Sequence, residues 1–209
     1  MHPGYRICLL IMSLALAACT STSQVQPAVA FVPESAALDA EKPDLAWWQL
    51  RFRFVWDQEE APDFSAHLLI AEQLLLPVIV EQQAGLALWR FHRRAGPGDS
   101  GNQFSLIFYS DAATAERIDQ QIASAPLTQW LLQNKLIDKV RFAQRSPEEL
   151  GRLELTSDPE WPIEMQRSWP YYAMGASQAW LMLVQELSQE DAPAGDVDYP
   201  TLLLHYQDV

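Results

Sequence analysis

The fold is decided by residues 86–110, which read LALWRFHRRA, then GPGDSGN, then QFSLIFYS. In the first and last of these runs, apolar and polar side chains alternate with the period of two that is typical of a half-buried β-strand. The seven residues between them are glycine, proline, aspartate, serine and asparagine, which favour turns. The stretch therefore predicts a β-hairpin whose first strand is strongly basic.

On either side of this hairpin the pattern predicts one further strand and a helical segment. Residues 47–56 alternate as a strand, and residues 63–83 carry apolar side chains at helical spacing. After the hairpin, residues 111–136 predict two short helices, and residues 139–145 alternate again. The order β-α-β-β-α-β is that of a ferredoxin-like fold, so we predict an α+β domain over residues 45–146.

The remaining residues, 147–209, predict an acidic, aromatic-rich helical extension that packs on this domain. Residues 146–209 contain two basic and twelve acidic residues, whereas residues 45–145 contain ten and eleven. We expect a long helix from about 170 to 189 and a short extra strand near the carboxyl end, in TLLLHYQ.

In the helical segment at residues 63–83, Pro77 predicts a kink or an early end.

Three of the four predicted strands place most of their basic residues on one side, and the strand at 103–110 places Gln103, Ser105 and Tyr109 there. If the aromatic sides face the helices in the usual 4-1-3-2 strand order, the second face of the sheet also collects Gln49, Gln103, Ser105, Lys139 and Arg145. Because the planar fork of arginine binds carboxylate and phosphate bidentately, this face predicts a site for an anion or an anionic partner. The candidate site residues are Arg51, Arg53, Arg90, His92, Arg94, Tyr109 and Arg141.

Two interpretations of this basic face remain open, and both could hold together if the extension covers part of the face and leaves a pocket. In the first, the acidic extension folds across the face and neutralises it, with its aromatic residues stacked on the guanidinium groups. The residues concerned are Glu148, Glu149, Glu154, Asp158, Glu160, Glu164, Trp161, Trp169, Tyr171 and Tyr172. In the second, part of the face stays open for a ligand.

Signals of catalysis and of metal binding are weak. His92 lies between arginines, which disfavour its protonation, so it could act as a base; no nucleophile–base pattern accompanies it. His67 is expected to be a packed, hydrogen-bonded core histidine, and the histidines lack metal-ligand spacing. We therefore predict a non-catalytic binding or envelope-assembly role with no metal or other cofactor; the alternative is an enzyme that acts on an anionic substrate at the same face.

The amino terminus has the features of an export signal. Arg6 precedes the apolar run 7–18, which is shorter than the ~20 residues that a membrane-spanning helix needs. The run ends in Leu16-Ala17-Ala18-Cys19, which resembles the lipobox of bacterial lipoproteins. The resemblance implies a signal peptide over residues 1–18, a lipid on Cys19 and, because Thr20 is not aspartate, retention at the periplasmic face of the outer membrane. An ordinary secretory signal with an incidental Cys19 is the alternative.

Residues 19–44 are rich in serine, threonine, alanine and proline and predict a flexible tether. With Cys8 in the signal and Cys19 carrying a lipid, the mature chain would keep no thiol for a disulfide. A net charge of −13 disfavours nucleic acid as a partner. The expected partners are the membrane, through the lipid on Cys19, and an envelope protein or a small anionic ligand.

One resemblance covers most of residues 45–190. The chain has an aromatic strand, a helix ending in LLLP (74–77), a WRFHRR strand (89–94), its hairpin partner and a tryptophan-containing helix. This order resembles the small elimination domain of lantibiotic-dehydratase-type proteins. Where that family has an aromatic-Ile-Arg-Tyr pattern, this chain has Trp89-Arg90-Phe91-His92. The resemblance implies a similar shape and no shared chemistry.

Overall fold

The computed structural model describes residues 44–56, 61–96, 101–190, 193, 195 and 197–209. The predicted signal peptide and almost all of the predicted tether, residues 1–43, lie outside the described residues, as do turn residues 97–100. The strands are β1 (Ala46–Phe54), β2 (Leu86–Gly96), β3 (Gly101–Ser110) and β4 (Ile137–Gln144). The helices are α1 (Ser65–Ile70), α2 (Leu76–Glu81), α3 (Ala112–Ser124), α4 (Pro126–Gln133), α5 (Ile163–Glu190) and α6 (Tyr199–His205).

The four strands form one sheet in the order β2-β3-β1-β4, and every neighbouring pair is antiparallel. This is the predicted 4-1-3-2 order seen from the other edge. The first helical segment connects β1 to β2, a hairpin connects β2 to β3, and α3 and α4 connect β3 to β4. The ferredoxin-like α+β fold with a C-terminal helical extension is therefore confirmed.

The aromatic face of the sheet packs against the helices and forms the core. Leu50 lies opposite both Leu106 and Phe142, and Phe52 lies opposite Phe104, so each row continues across several strands. Directly opposite residues in antiparallel strands project to the same side, which is why the four alternating patterns combine into one apolar surface. The fully buried residues include Leu50, Phe52, Phe104 and Leu106 from the sheet and Leu69, Ile70, Ile118 and Ile122 from the helices.

The helix after β1 continues past Pro77, where a kink or an end was predicted. Between α1 and α2, residues Ala71–Leu75 are π-helical, and the backbone N–H of Leu76 donates to the carbonyl oxygen of Ala71, five residues back. Pro77 then lies in the first turn of α2. A proline is tolerated in a first turn because its missing N–H would have no partner there, so the helix widens before Pro77 and does not stop.

The extension differs from its prediction at both ends. Helix α5 begins at Ile163, about seven residues earlier than expected, and contains Pro170 in its interior. The predicted C-terminal strand is wrong: Tyr199–His205 is helix α6, capped by Asp198, which accepts a hydrogen bond from the backbone N–H of Thr201. A short apolar run does not distinguish strand from helix by its period, and the cap at Asp198 decides the outcome.

The extension contacts the edge strand β2 and the helical segment that follows β1. Trp180 of α5 packs on Phe91, and the backbone N–H of Phe91 on the edge strand β2 donates to the hydroxyl of Ser177 at 3.0 Å. Further along, Ser188 and Tyr206 both donate to the carboxylate of Glu72, at 2.9 and 2.5 Å, which fixes α5 and α6 to the first helical segment. None of the helices in the described ranges is both long and apolar enough to cross a membrane.

Candidate functional site

The second face of the sheet carries the basic residues in two adjacent rows. Strand register places His92, Ser105, Arg51 and Arg141 side by side across all four strands, and the next row contains Arg94, Gln103, Arg53 and Lys139. Directly opposite residues share a face, so five of the seven predicted site residues lie together in these two rows. A sixth, Arg90, lies next to them on β2. We call the surface formed by these rows, Arg90, Gln49 and Arg145 the basic face.

One end of the basic face is covered, and the predicted site residue Tyr109 lies there. Its ring packs on Trp47 with centroids 5.0 Å apart, and the two side chains are only 6% and 1% exposed. The indole N–H of Trp47 donates to the carbonyl oxygen of Leu153 in the extension, at 3.1 Å. Tyr109 is therefore on the predicted face but is not accessible to a ligand, because residues after β4 pass over it.

The middle of the basic face holds Arg51 in a defined position. Its guanidinium donates to the side-chain oxygen of Gln49 at 3.0 Å, and the amide nitrogen of Gln49 donates to the hydroxyl of Ser105 at 3.2 Å. Ser105 is 1% exposed, and Arg51 is partly exposed. These two hydrogen bonds orient Arg51 before any ligand arrives, which lowers the entropic cost of binding through it.

Arg51, Arg90 and Arg145 are close enough for their charges to act on one another and on His92, and we call these four residues the arginine cluster. Burial, and then the charge of Arg145, lowers the pKa of Arg90 from its ordinary value. Burial, and then the charge of Arg51, lowers the pKa of Arg145 in the same way. Alternation along residues 139–145 predicted Arg145 on this face, although it was not among the candidate site residues. The backbone N–H of Arg145 donates to the carbonyl oxygen of Trp47 at 2.8 Å, so the chain stays paired with β1 for one residue beyond β4.

Arg90 has an unsatisfied polar atom. Its Nε is buried and has no hydrogen-bond partner among the described residues. A buried N–H without a partner costs about 1–3 kcal/mol, and more for a charged group. The guanidinium is thus held partly out of water, next to another guanidinium, without an acceptor from the described chain.

His92 lies between these arginines, as the sequence indicates. Partial burial lowers the pKa of His92, and the charges of Arg90, Arg94, Arg145 and Arg51 lower it further. The neighbouring residue Arg93 points to the other face of the sheet, where its guanidinium lies 4.8 Å from the ring of Trp180 and 5.6 Å from that of Phe64. The three consecutive basic residues of β2 therefore serve two different surfaces.

Carboxylates do not neutralise the arginine cluster within the described parts of the chain. The one ion pair found on the basic face joins Arg53 to Asp138 at 3.5 Å, among described residues. In the extension, Glu149 and Glu154 pair with Arg152 of the extension itself. These two acids therefore do not neutralise the basic face, because both of them form ion pairs with Arg152.

The aromatic residues of the extension also differ from the first interpretation. Trp161 packs on Trp169 with centroids 5.3 Å apart, and Trp169 packs on Tyr172 at 5.5 Å. This ladder runs along the start of α5, so these rings contact each other. The extension covers the Trp47 end of the basic face and leaves His92, Arg94 and Arg141 exposed.

Metal binding has no evident place in the described ranges, where no three histidine, cysteine, aspartate or glutamate side chains come together to hold an ion. His67 is fully buried between Phe54 and Phe104, with ring centroids 4.3 and 5.2 Å away. Neither ring nitrogen makes a hydrogen bond to a described residue. The prediction of a packed core histidine is confirmed.

Comparison with known proteins finds some solved structures that are similar at low sequence identity and assigns no family. No family model matches the chain, and no curated protein matches it. Among solved structures, a NIPSNAP-like domain protein from Burkholderia xenovorans is similar over 57% of this chain and 93% of its own, with 12% identity and a TM-score of 0.31. A dimeric ferredoxin-like protein of unknown function from Thermobifida fusca covers 48% of this chain and 90% of its own, with 16% identity and a TM-score of 0.29.

A third solved structure, hydroxynitrile lyase from Passiflora edulis, covers 57% of this chain and 99% of its own, with 9% identity and a TM-score of 0.29. At such identities and scores no activity is transferred from these proteins. The ferredoxin-like fold of this chain follows from its own strand order.

Proposed function

We propose that this chain is a periplasmic lipoprotein, anchored in the outer membrane by a lipid on Cys19, which binds an anionic group on its basic face without catalysing a reaction. The anchor rests on the lipobox resemblance at Leu16-Ala17-Ala18-Cys19. The binding role rests chiefly on one observation: the buried Nε of Arg90 has no acceptor among the described residues, and the like charge of Arg145 acts on the same guanidinium.

The physical argument is that an anion would offset positive charge that no described carboxylate pairs with in the arginine cluster. Bringing several guanidinium groups together costs free energy through mutual repulsion and loss of water. A carboxylate or phosphate placed among them would accept hydrogen bonds from Arg51 and Arg90 and would reverse that repulsion. The anionic group could belong to a small molecule or to a side chain of an envelope protein, since both offer the same chemistry.

An enzyme acting on an anionic substrate is the second candidate, and the surroundings of His92 favour it less. A catalytic histidine is normally oriented by a carboxylate, and the charged groups that act on the pKa of His92 are all arginines. Tyr109, the candidate site residue that carries a hydroxyl group, is buried against Trp47. These surroundings support the recognition of an anion over its chemical conversion.

The binding role predicts opposite effects of Arg90→Gln on affinity and on stability. The variant is expected to lose most of the thermal stabilisation by inorganic phosphate, which for the wild type reaches ~2.7 kcal/mol at one hundred times Kd. Without phosphate, the variant is expected to be as stable as the wild type or more stable, because it removes repulsion and an unsatisfied group. Melting curves at constant ionic strength measure both effects.

The matched control is Arg117→Gln, because Arg117 donates hydrogen bonds to Gln82 and Thr114 far from the basic face. This variant is expected to lose about 1 kcal/mol of stability and to keep the response to phosphate. An equal response to phosphate in the wild type and in Arg90→Gln would contradict the proposed site. A marked loss of stability in Arg90→Gln alone would indicate a structural role for Arg90.

The anchor predicts that Cys19→Ala releases the protein from the membrane. Each buried methylene of an acyl chain contributes about 0.8 kcal/mol to membrane binding, and more than one chain is needed for stable attachment. Wild-type protein is expected in the membrane fraction and should incorporate radiolabelled palmitate. The Cys19→Ala variant should be absent from the membrane fraction and should incorporate no palmitate. Cys8→Ala is the matched control, since Cys8 is the other cysteine of the chain. Identical fractionation of the two variants would refute the anchor.

A further inference from the structure

We propose that the anionic group bound on the basic face is a tetrahedral dianion, as in a phosphate or sulfate monoester, and that His92 takes up a proton when it binds. This inference rests on the proposed anion-binding function. It adds the charge of the ligand, its shape and a dependence of affinity on pH, none of which follows from an arginine-rich surface alone.

The position of His92 relative to Arg51 carries the first step. His92 lies opposite Ser105, and Ser105 lies opposite Arg51, so two strand spacings separate the backbones of His92 and Arg51. At 4.7–4.9 Å for each spacing, this separation is about 10 Å. The residue between them has a short side chain, so a group the size of phosphate can contact both the imidazole and the guanidinium.

The number of positive charges carries the second step. Four arginines act on His92: Arg90 and Arg94 from its own strand, Arg51 from β1 and Arg145 from the segment after β4. The residue that faces His92 from β3 is Ser105, which has no charge. A single carboxylate would offset one of these charges, whereas a dianion offsets two and offers more oxygen atoms for the N–H groups of the arginine cluster.

The protonation of His92 follows from the same charges. In the free protein, burial and the four arginines lower the pKa of His92, so the imidazole is neutral near pH 7. A dianion beside the ring places a negative charge next to His92 and accepts a hydrogen bond from the imidazole N–H. Both effects raise the pKa of His92 in the complex. Because the complex binds protons more tightly than the free protein, affinity must rise as pH falls between the two pKa values.

The test uses sulfate, whose charge does not change across the range of interest. Titration calorimetry of the mature protein from pH 8 to pH 5.5 at constant ionic strength is expected to show an affinity that increases up to about tenfold for each unit by which binding raises the pKa of His92. The ring-proton NMR signal of His92 should titrate at higher pH with sulfate than without it. His92→Gln should bind sulfate with an affinity that no longer varies with pH, and acetate should bind the wild type more weakly than sulfate.

Each part of the proposal has its own contrary result. Sulfate binding that is lost in Arg90→Gln but does not vary with pH would overturn proton uptake and leave the anion site standing. Acetate binding as tightly as sulfate would overturn the preference for a dianion. Failure of sulfate and phosphate to bind the wild type at any pH would overturn the proposed function itself, and this inference with it.

A further arm of the experiment distinguishes two sources of the same chemistry. Soluble glycerol 3-phosphate presents a free monoester, and phosphatidylcholine vesicles containing phosphatidic acid present one at a bilayer. Co-sedimentation with these vesicles, competed by glycerol 3-phosphate, would identify a lipid headgroup, whereas binding of glycerol 3-phosphate alone would identify a soluble ligand. Binding of neither monoester would overturn the proposal.

Discussion

Replacing Trp47 with alanine is expected to lower the free energy of unfolding by about 3–5 kcal/mol, the range for removal of a large buried aromatic side chain. Trp47 is 1% exposed, packs on Tyr109, and donates its indole N–H to the carbonyl oxygen of Leu153. The backbone N–H of Gly151 also donates to Leu45 at 2.8 Å, so this one region joins the extension to β1. The loss should therefore detach residues 146–156 from the sheet.

Urea unfolding and limited proteolysis measure the two consequences separately. Trp47→Phe keeps much of the ring contact and removes the hydrogen bond, so it should cost less than Trp47→Ala. The matched control is Trp130→Ala, because Trp130 is only partly buried and packs on Tyr199. If Trp47→Ala left residues 146–156 as resistant to protease as in the wild type, the extension would be held by other contacts.

Acidification is expected to destabilise the protein through His67, beginning well above the usual range of carboxylate titration. Burial, and then the charge of Arg93, lowers the pKa of His67 to about 3, against smaller opposing effects of Asn102 and Asp63. In the unfolded chain His67 has an ordinary pKa of 6.5. Between these values the unfolded state binds more protons than the folded state, so stability falls as pH falls from 6.5 toward 3.

The size of this effect is on the order of 1.4 kcal/mol for each pH unit, or about 2–3 kcal/mol between pH 6.5 and pH 4.5. In that interval most carboxylates stay ionised, which isolates the histidine. His67→Leu should remove the slope and cost little at pH 7, because the ring packs between Phe54 and Phe104 and its nitrogen atoms make no hydrogen bond to a described residue.

Unfolding free energies from urea titrations at several pH values measure this slope. His92→Gln is the matched control, because the pKa of His92 is also lowered but its side chain is exposed. That variant should keep most of the slope. A wild-type stability that stays constant between pH 6.5 and pH 4.5 would show that His67 is reached by water.

Much of the architecture was predictable from local pattern. Alternation in four short runs, glycine-rich turn residues between two of them and helical spacing in the connections indicate the β-α-β-β-α-β order, because side-chain period and turn chemistry act over a few residues. The errors lie where local signals are ambiguous. Residues 199–205 form a helix in place of the predicted strand, and the first helix continues past Pro77 after a π-helical turn, so the early end that was one of the two expectations there does not occur.

The basic face shows the same division between local and long-range effects. Alternation along each strand is enough to assign Arg51, Arg53, Arg90, His92, Arg94 and Arg141 to one side, since successive side chains of a strand point to opposite faces. Accessibility depends on contacts between distant residues: Trp47 and Leu153, which are 106 positions apart, determine that Tyr109 is buried. Glu149 and Glu154 pair with Arg152 because of the path of the chain after β4, which no period in the sequence encodes.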